Sequence, residues 1–328
     1  MAIAKLSTSQ FFEGIISGNV AILSKAITLV ESTRVEDQIV ARDLVERIMP
    51  YSGKSFRLGI TGVPGVGKST FIESFGQLLV SMGKKLAVLT IDPSSTISKG
   101  SILGDKTRME KLSVTPGVYI RPSPSGGTLG GVARKTKESI MLCEAAGYDF
   151  IIIETVGVGQ SETTVHQLAD FFLLLMLAGA GDELQGIKRG IMELADGIAI
   201  TKTDGSNIEK AKMARAEYAN AIHFFPPTTS GWIPKVLTCS ALHQSGLEEI
   251  LKMLESYQNQ TILSGYFSSK RAEQSVFWFE HLLNDQLLKI FLSKPDRIAQ
   301  VQSLKQQVKE GGISPYSAVL QLVREFSV

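Results

Sequence analysis

Apolar residues are spaced along this chain in three ways. Over the first fifty positions they recur at helical intervals: Phe11, Phe12, Ile15 and Ile16, then Ile22, Ala26, Leu29 and Val30, then Ile39, Val40, Leu44, Val45 and Ile48. Pro50-Tyr51-Ser52-Gly53 ends that section. From residue 56 short continuous apolar runs take over, at 56–61, 86–91, 118–120, 150–154, 171–177, 197–201 and 236–239. Helical stretches such as 135–146 and 208–221 separate them. Runs that are apolar throughout, rather than alternating, are what strands covered on both faces require. The pattern therefore predicts a three-layer α/β fold with a mostly parallel central sheet. Beyond about residue 257 only helical spacing remains. One broad apolar helix carries Phe277, Trp278, Leu282, Leu283, Leu287, Leu288, Ile290 and Phe291; a second spans 295–310, and Pro315 opens a third. A face that broad is either packed on the core or used between subunits. The expected parts are a helical extension (1–53), an α/β domain (54–257) and a helical arm (258–328).

Composition narrows the partners. With 328 residues, 20% of them charged, and a formal net charge of +2, the chain presents no strong field for nucleic acid or an acidic lipid surface. Cys143 and Cys239 form no Cys-x-x-Cys and suit a reducing compartment, so the expected location is cytoplasmic. No signal peptide is evident at the N-terminus. The most apolar run, 171–180, has about half the length of a membrane-spanning helix, so it reads as a buried strand and no membrane insertion is expected.

Chemistry enters at Gly62-Val63-Pro64-Gly65-Val66-Gly67-Lys68-Ser69-Thr70, which fits G-x-x-x-x-G-K-[ST] between a strand and a helix of apolar stripe Phe71, Phe75, Leu78, Leu79 and Met82. Glycines let backbone N–H groups curl around a β-phosphate, and the helix N-terminus behind them favours negative charge. Lys68 supplies a cation to the β- and γ-phosphates, and the Ser69 hydroxyl is placed to ligate Mg²⁺. A nucleoside triphosphate is the expected ligand.

The base is read further on. Thr201-Lys202-Thr203-Asp204 follows a buried strand and fits [NT]-K-x-D. The Asp204 carboxylate can accept from both guanine N1–H and the exocyclic amine, whereas adenine would leave it unpaired. The Lys202 stem would lie over the base. Ser240-Ala241-Leu242, after the next strand, would supply a second wall, so GTP is expected over ATP. Asp92 and Glu154 each end a strand beside the phosphate loop and are candidate carboxylates for Mg²⁺. Gly157, in Glu154-Thr155-Val156-Gly157-Val158-Gly159-Gln160, is free to turn its N–H to the γ-phosphate. Val158 stands where Ras-like GTPases carry a water-orienting Gln, so hydrolysis is expected to be slow alone and faster with a partner. Two polar loops, 99–108 and 121–127, have the composition of phosphate-sensing switches. His166, His223, His243 and His281 lack metal spacing and read as structural or solvated.

With these motifs in place the chain resembles the MeaB/ArgK family of P-loop GTPases. The resemblance rests on GVPGVGKST (62–70), DPSS (92–95), GSILGDKTRM (100–109), RPSPS (121–125), ETVGVGQSE (154–162) and AGAGDELQGIK (178–188). One departure is Thr201, where many relatives carry Asn. The resemblance implies a GTP-hydrolysing chaperone of a coenzyme B12-dependent acyl-CoA mutase, usually methylmalonyl-CoA mutase, that gates adenosylcobalamin delivery and protects the mutase. It also implies that the C-terminal arm forms a homodimer, that Asp105 joins Asp92 and Glu154 around Mg²⁺ and phosphate, and that Lys188, from a switch at 179–188, reaches the nucleotide. Rival readings are a metal-inserting GTPase, for which the His-rich tail or Cys pair is missing, and a nucleotide-dependent regulator of basic-amino-acid transport. A third is a switch that recruits partners without turning over.

Overall fold

The structure, a computed structural model, describes residues 6–91, 109–122, 129–155, 161–178 and 189–324. They gather into two compact units, 1–274 and 275–328.

The first unit opens with three helices, α1 (Thr8–Ile16), α2 (Val20–Glu31) and α3 (Val35–Ile48). Local chemistry sets their starts. Ser7 and Gln10 form a reciprocal capping box on α1, and the Asn19 carboxamide accepts from Ala21 and Ile22 at the head of α2. Phe11, Ile15, Leu23, Ala26, Ile27, Val30, Leu44 and Ile48, the inward positions of the three stripes, are buried.

Seven strands follow: β1 (Phe56–Gly62), β2 (Leu86–Ile91), β3 (Val118–Arg121), β4 (Phe150–Thr155), β5 (Phe171–Leu177), β6 (Gly197–Thr201) and β7 (Lys235–Thr238). They pair in the order β3-β2-β4-β1-β5-β6-β7, and every pairing is parallel. Each predicted run is a strand within about two residues. The run at 171–177 is an inner strand, with β1 and β6 on either side. The intervening helices are α4 (Lys68–Ser81), α5 (Glu110–Ser113), α6 (Leu129–Ala145), α7 (Ser161–His166), α8 (Arg189–Leu194), α9 (Ile208–Ile222) and α10 (Leu247–Leu263).

Alternate strand residues build two cores. On one face Leu58, Ile60, Val88, Ile152, Leu173 and Leu175 pack against Phe71, Phe75 and Leu79 of α4 and Ile250, Met253 and Leu254 of α10. On the other, Leu174, Met176, Ile198 and Ile200 meet Ala211, Ala214, Tyr218 and Ile222 of α9. The N-terminal layer lies on α6 through α2 and α3. It is also pinned to the edge strand: Ser24, Thr28 and Glu31, one stripe of α2, reach the Tyr119 hydroxyl and the Arg121 guanidinium of β3.

Helix α11 (Tyr266–Phe291) begins in this unit and is bolted to the amino ends of the strands. Arg271 donates to both Asp170 carboxylate oxygens at 2.7 Å, and Lys270 donates to the Asp170 carbonyl at 2.7 Å and to Asp196 at 3.3 Å. Asp170 also accepts from the Arg57 backbone N–H, while the Arg57 side chain grips Glu144 of α6. Every acid in this cluster is hydrogen-bonded, which is the condition for keeping charge inside a fold. The second unit holds the rest of α11, α12 (Pro295–Lys309) and α13 (Pro315–Arg324), with Trp278, Leu304 and Ala318 buried. On α11, Val276, Phe279, Leu283, Leu287 and Ile290 form an exposed apolar stripe at helical spacing.

Candidate nucleotide site

All the described site residues lie at the carboxyl ends of the strands, where parallel α/β sheets bind ligands. Gly62 ends β1, and the loop that follows exposes Pro64 and Gly65 while burying Val66 beneath them. Gly67 caps α4 with φ +97°, a conformation that side chains resist, and Lys68 starts the helix directly. The first-turn N–H groups therefore open toward the loop's concave side, together with the half-buried Ser69 and the exposed Thr70. The Lys68 ammonium folds over the same loop, donating to the Gly62 carbonyl at 2.7 Å and the Val63 carbonyl at 3.3 Å.

The base-reading motif joins this loop through its threonine. The buried Thr201 hydroxyl donates to the Val66 carbonyl at 2.6 Å, with the Met176 carbonyl of β5 at 3.3 Å. Thr201 thus ties the end of β6 to the phosphate loop. Lys202 takes φ +56°, and its Cε stands 3.8 Å from where a β-carbon on Gly67 would be, so its stem runs alongside the loop.

Asp204, half-buried, receives a hydrogen bond from the Ser240 hydroxyl. Ser240 is fully buried, and its oxygen also accepts from the His243 N–H at 3.2 Å. Its backbone is clamped to Ser245 in both directions at 3.0 Å. The Ala241 carbonyl accepts from Ser74 of α4 at 2.8 Å, which holds the second wall against the helix that carries the phosphate loop. Leu242 projects to solvent with 75% of its surface exposed. A cavity of about 350 Å³ opens between Thr70 and Ser74 on one side and Ala241 and Leu242 on the other. Ser74 was not visible as a site residue in the sequence, because its role depends on α4 and the loop after β7 meeting in space.

Glu154 is the penultimate residue of β4 and is 5% exposed, opposite Ile60 of β1 and Thr90 of β2. It therefore stands beside the strand that leads into the phosphate loop. Asp92, Asp105, Gly157 and Lys188 lie outside the described residues, as do Val158, Gln160 and most of the two polar loops. Among the histidines, His166 is packed edge-on against Phe172, and burial, with Lys270 nearby, pushes its pKa down to about 4. Burial raises the Cys239 thiol to about 12 and makes it an inert neighbour of Ser240. Among the described residues no helix is long and apolar enough to cross a membrane.

This arrangement can cradle phosphates on backbone N–H groups, neutralise them with Lys68 and accept two donors from a base at Asp204. Comparison with known proteins agrees. The family model described as methylmalonyl-CoA mutase-associated GTPase MeaB matches residues 23–296. A Caulobacter vibrioides protein whose name includes the word GTPase is 48% identical over 314 residues, 96% of each chain. The Escherichia coli GTPase ArgK is 45% identical over 305 residues, covering 93% of this chain and 92% of its own. The mouse mitochondrial methylmalonic aciduria type A homolog is 44% identical over 327 residues, 97% of this chain and 79% of its own. A crystal structure described as a LAO/AO transport system kinase superposes over the whole of both chains with a TM-score of 0.80 and 36% identity. With that fold, phosphate loop and match, the chain belongs to the family of methylmalonyl-CoA mutase-associated GTPases called MeaB and is itself a P-loop GTPase.

Proposed function

We propose that this protein binds GTP with Mg²⁺ and uses its hydrolysis to serve as a chaperone of a coenzyme B12-dependent acyl-CoA mutase, with methylmalonyl-CoA mutase as the first candidate. The observation that carries the nucleotide half is Asp204, a base-reading carboxylate held by Ser240 at the far wall of the phosphate-loop site. The family membership supports the partner half.

In this reading residues 62–70 cradle the phosphates and Thr201, Lys202, Asp204, Ser240, Ala241 and Leu242 enclose guanine. Lys68 leaves the Gly62 and Val63 carbonyls for the β- and γ-phosphates. Its charge then offsets the charge that develops on the leaving GDP. Hard oxygen donors suit Mg²⁺: the Ser69 hydroxyl on the first turn of α4 and the buried Glu154 carboxylate belong to adjoining elements, and Asp92 and Asp105 complete the proposed set. When bound, Mg²⁺ would draw charge from the phosphate oxygens. Gly157 would offer its N–H to the γ-phosphate, and Lys188 would reach the nucleotide from a segment facing the mutase. Slow basal turnover, accelerated by the mutase, follows from Val158 in the water-orienting position.

The chain works as a cytoplasmic homodimer in this proposal, with 1–53 as extension, 54–257 as GTPase domain and 258–328 as dimerisation arm. The exposed stripe on α11 supports the dimer. GTP turnover with and without the mutase, against an ATP control, tests the whole reading. Stimulation with GTP alone is expected, and its absence with any such mutase removes the chaperone role while leaving the GTPase. The transport label of the 36% identical structure favours one rival, a nucleotide-dependent regulator of basic-amino-acid uptake. A preference for ATP in the same assay would select it.

A further inference from the structure

The phosphate loop and Glu154 sit on neighbouring strands, and the two motifs read separately do not show what fixes the distance between them. The register that sets Ile60 opposite Glu154 brings the next residues, Thr61 and Thr155, together on the opposite face of the sheet. Both are fully buried, and their hydroxyl oxygens are 2.9 Å apart. Thr61 immediately precedes Gly62, and Thr155 immediately follows Glu154.

That face is closed. A β-carbon on Gly59, two residues back along β1, would come within 2.8 Å of Val165 and 2.9 Å of Ala169, so α7 and the turn after it press directly on the strand. Water has little access to take over the hydrogen bond if one hydroxyl is removed, and the tie between the two strands is lost. A bond of this kind resists small shifts between the two strand ends more strongly than apolar packing, which tolerates sliding. The guanine wall, by contrast, is built on β6 and β7, on the far side of β5 from this pair.

We propose that the Thr61–Thr155 hydrogen bond is a positioning element for hydrolysis. It holds the strand end carrying Glu154 against the strand end carrying the phosphate loop, so that carboxylate, Ser69 and Lys68 act as one unit. The proposal rests on the reading of Glu154 as a magnesium carboxylate. It separates two properties of the site: base recognition does not depend on the pair, and metal-assisted turnover does.

The test uses the full chain with Thr155→Val, Thr61→Val, both together, and Thr155→Ser, which keeps the hydroxyl. Thr155→Val should slow single-turnover GTP hydrolysis about tenfold, in line with the cost of displacing a catalytic group by a fraction of an ångström. The Mg²⁺ concentration for half-maximal turnover should rise severalfold, while GDP affinity measured in EDTA stays within about twofold. The double variant should be no worse than either single one, and Thr155→Ser should recover most of the rate. If Thr155→Val does not fold, Thr61→Val carries the same comparison. An unchanged magnesium requirement, an equal loss of GDP affinity in EDTA, or no recovery with Ser would overturn the proposal. If Glu154→Gln itself leaves turnover and its magnesium dependence intact, the metal role of Glu154 is wrong, and the positioning role falls with it.

Discussion

Replacing Ser240 with alanine removes one oxygen atom from a fully buried residue and reports on how the base is read. In the structure that oxygen donates to Asp204 and accepts from the His243 N–H at 3.2 Å. The donated bond is charge-assisted, a class that contributes about 1.5–3 kcal/mol when protected from water. Asp204 is only half-buried, so roughly 1–2 kcal/mol is a realistic loss after solvent screening. That loss divides between folding and binding. For a chain of this size about 1 kcal/mol lowers the melting temperature by roughly 2 °C, readable by scanning calorimetry. On the binding side, a carboxylate no longer held in place must be ordered by the base; if about half of the loss, roughly 0.5–1 kcal/mol, falls there, GDP should weaken about 2- to 5-fold in isothermal titration. Phosphate contacts are untouched, so the weak affinity for ADP should not change. GDP affinity that survives a lowered melting temperature would refute the argument and reduce Ser240 to a structural residue. Equal loss for GDP and ADP would refute it in another way, by relocating the damage to the phosphate loop.

Lys68→Ala removes the ammonium that sits on the Gly62 and Val63 carbonyls and should cut GTP turnover by roughly 10² or more in a phosphate-release assay. Arg271→Met should destabilise the fold by about 3–5 kcal/mol in urea titration, because Asp170, 1% exposed, loses its two guanidinium bonds. His166 has its pKa lowered, so between about 6.5 and about 4 the unfolded chain binds more protons than the folded one, and stability falls as pH drops through that window. His166→Asn should flatten the fall by about 2 kcal/mol, measured by urea titration at pH 7 and at pH 4.5. An identical pH profile in the variant would show that carboxylates elsewhere account for the fall.

Much of the sheet could be read directly because parallel strands are buried on both faces and leave continuous apolar runs. The run 171–177 is β5 to the residue, and 86–91 is β2. Helices were read less sharply. The chemistry of α6 suggested a start near 135, but the helix begins at Leu129, since Gly130 and Gly131 weaken its first turn as a signal. The C-terminal region reads simply as helices, with nothing to mark that Lys270 and Arg271 of α11 reach acids that precede β5 and β6. Those partners are 74 and 101 residues away, and ion pairs at such separations leave no local pattern.

The amino-acid order alone determined the phosphate-loop motif and the seven strands, and it carries the motif proposed to read the base. Each is a local constraint: glycines where backbone must approach phosphate, a carboxylate where two donors must be met, apolar runs where both faces are covered. Only the tertiary structure decided how these pieces act on one another. Strand order placed β1 between β4 and β5, which brought Thr61 to Thr155. It also set β6 beside β5, which let Thr201 bond Val66 across 135 residues. Register and strand order depend on the packing of the whole sheet against its helices, a global balance of buried area that no short stretch of sequence encodes.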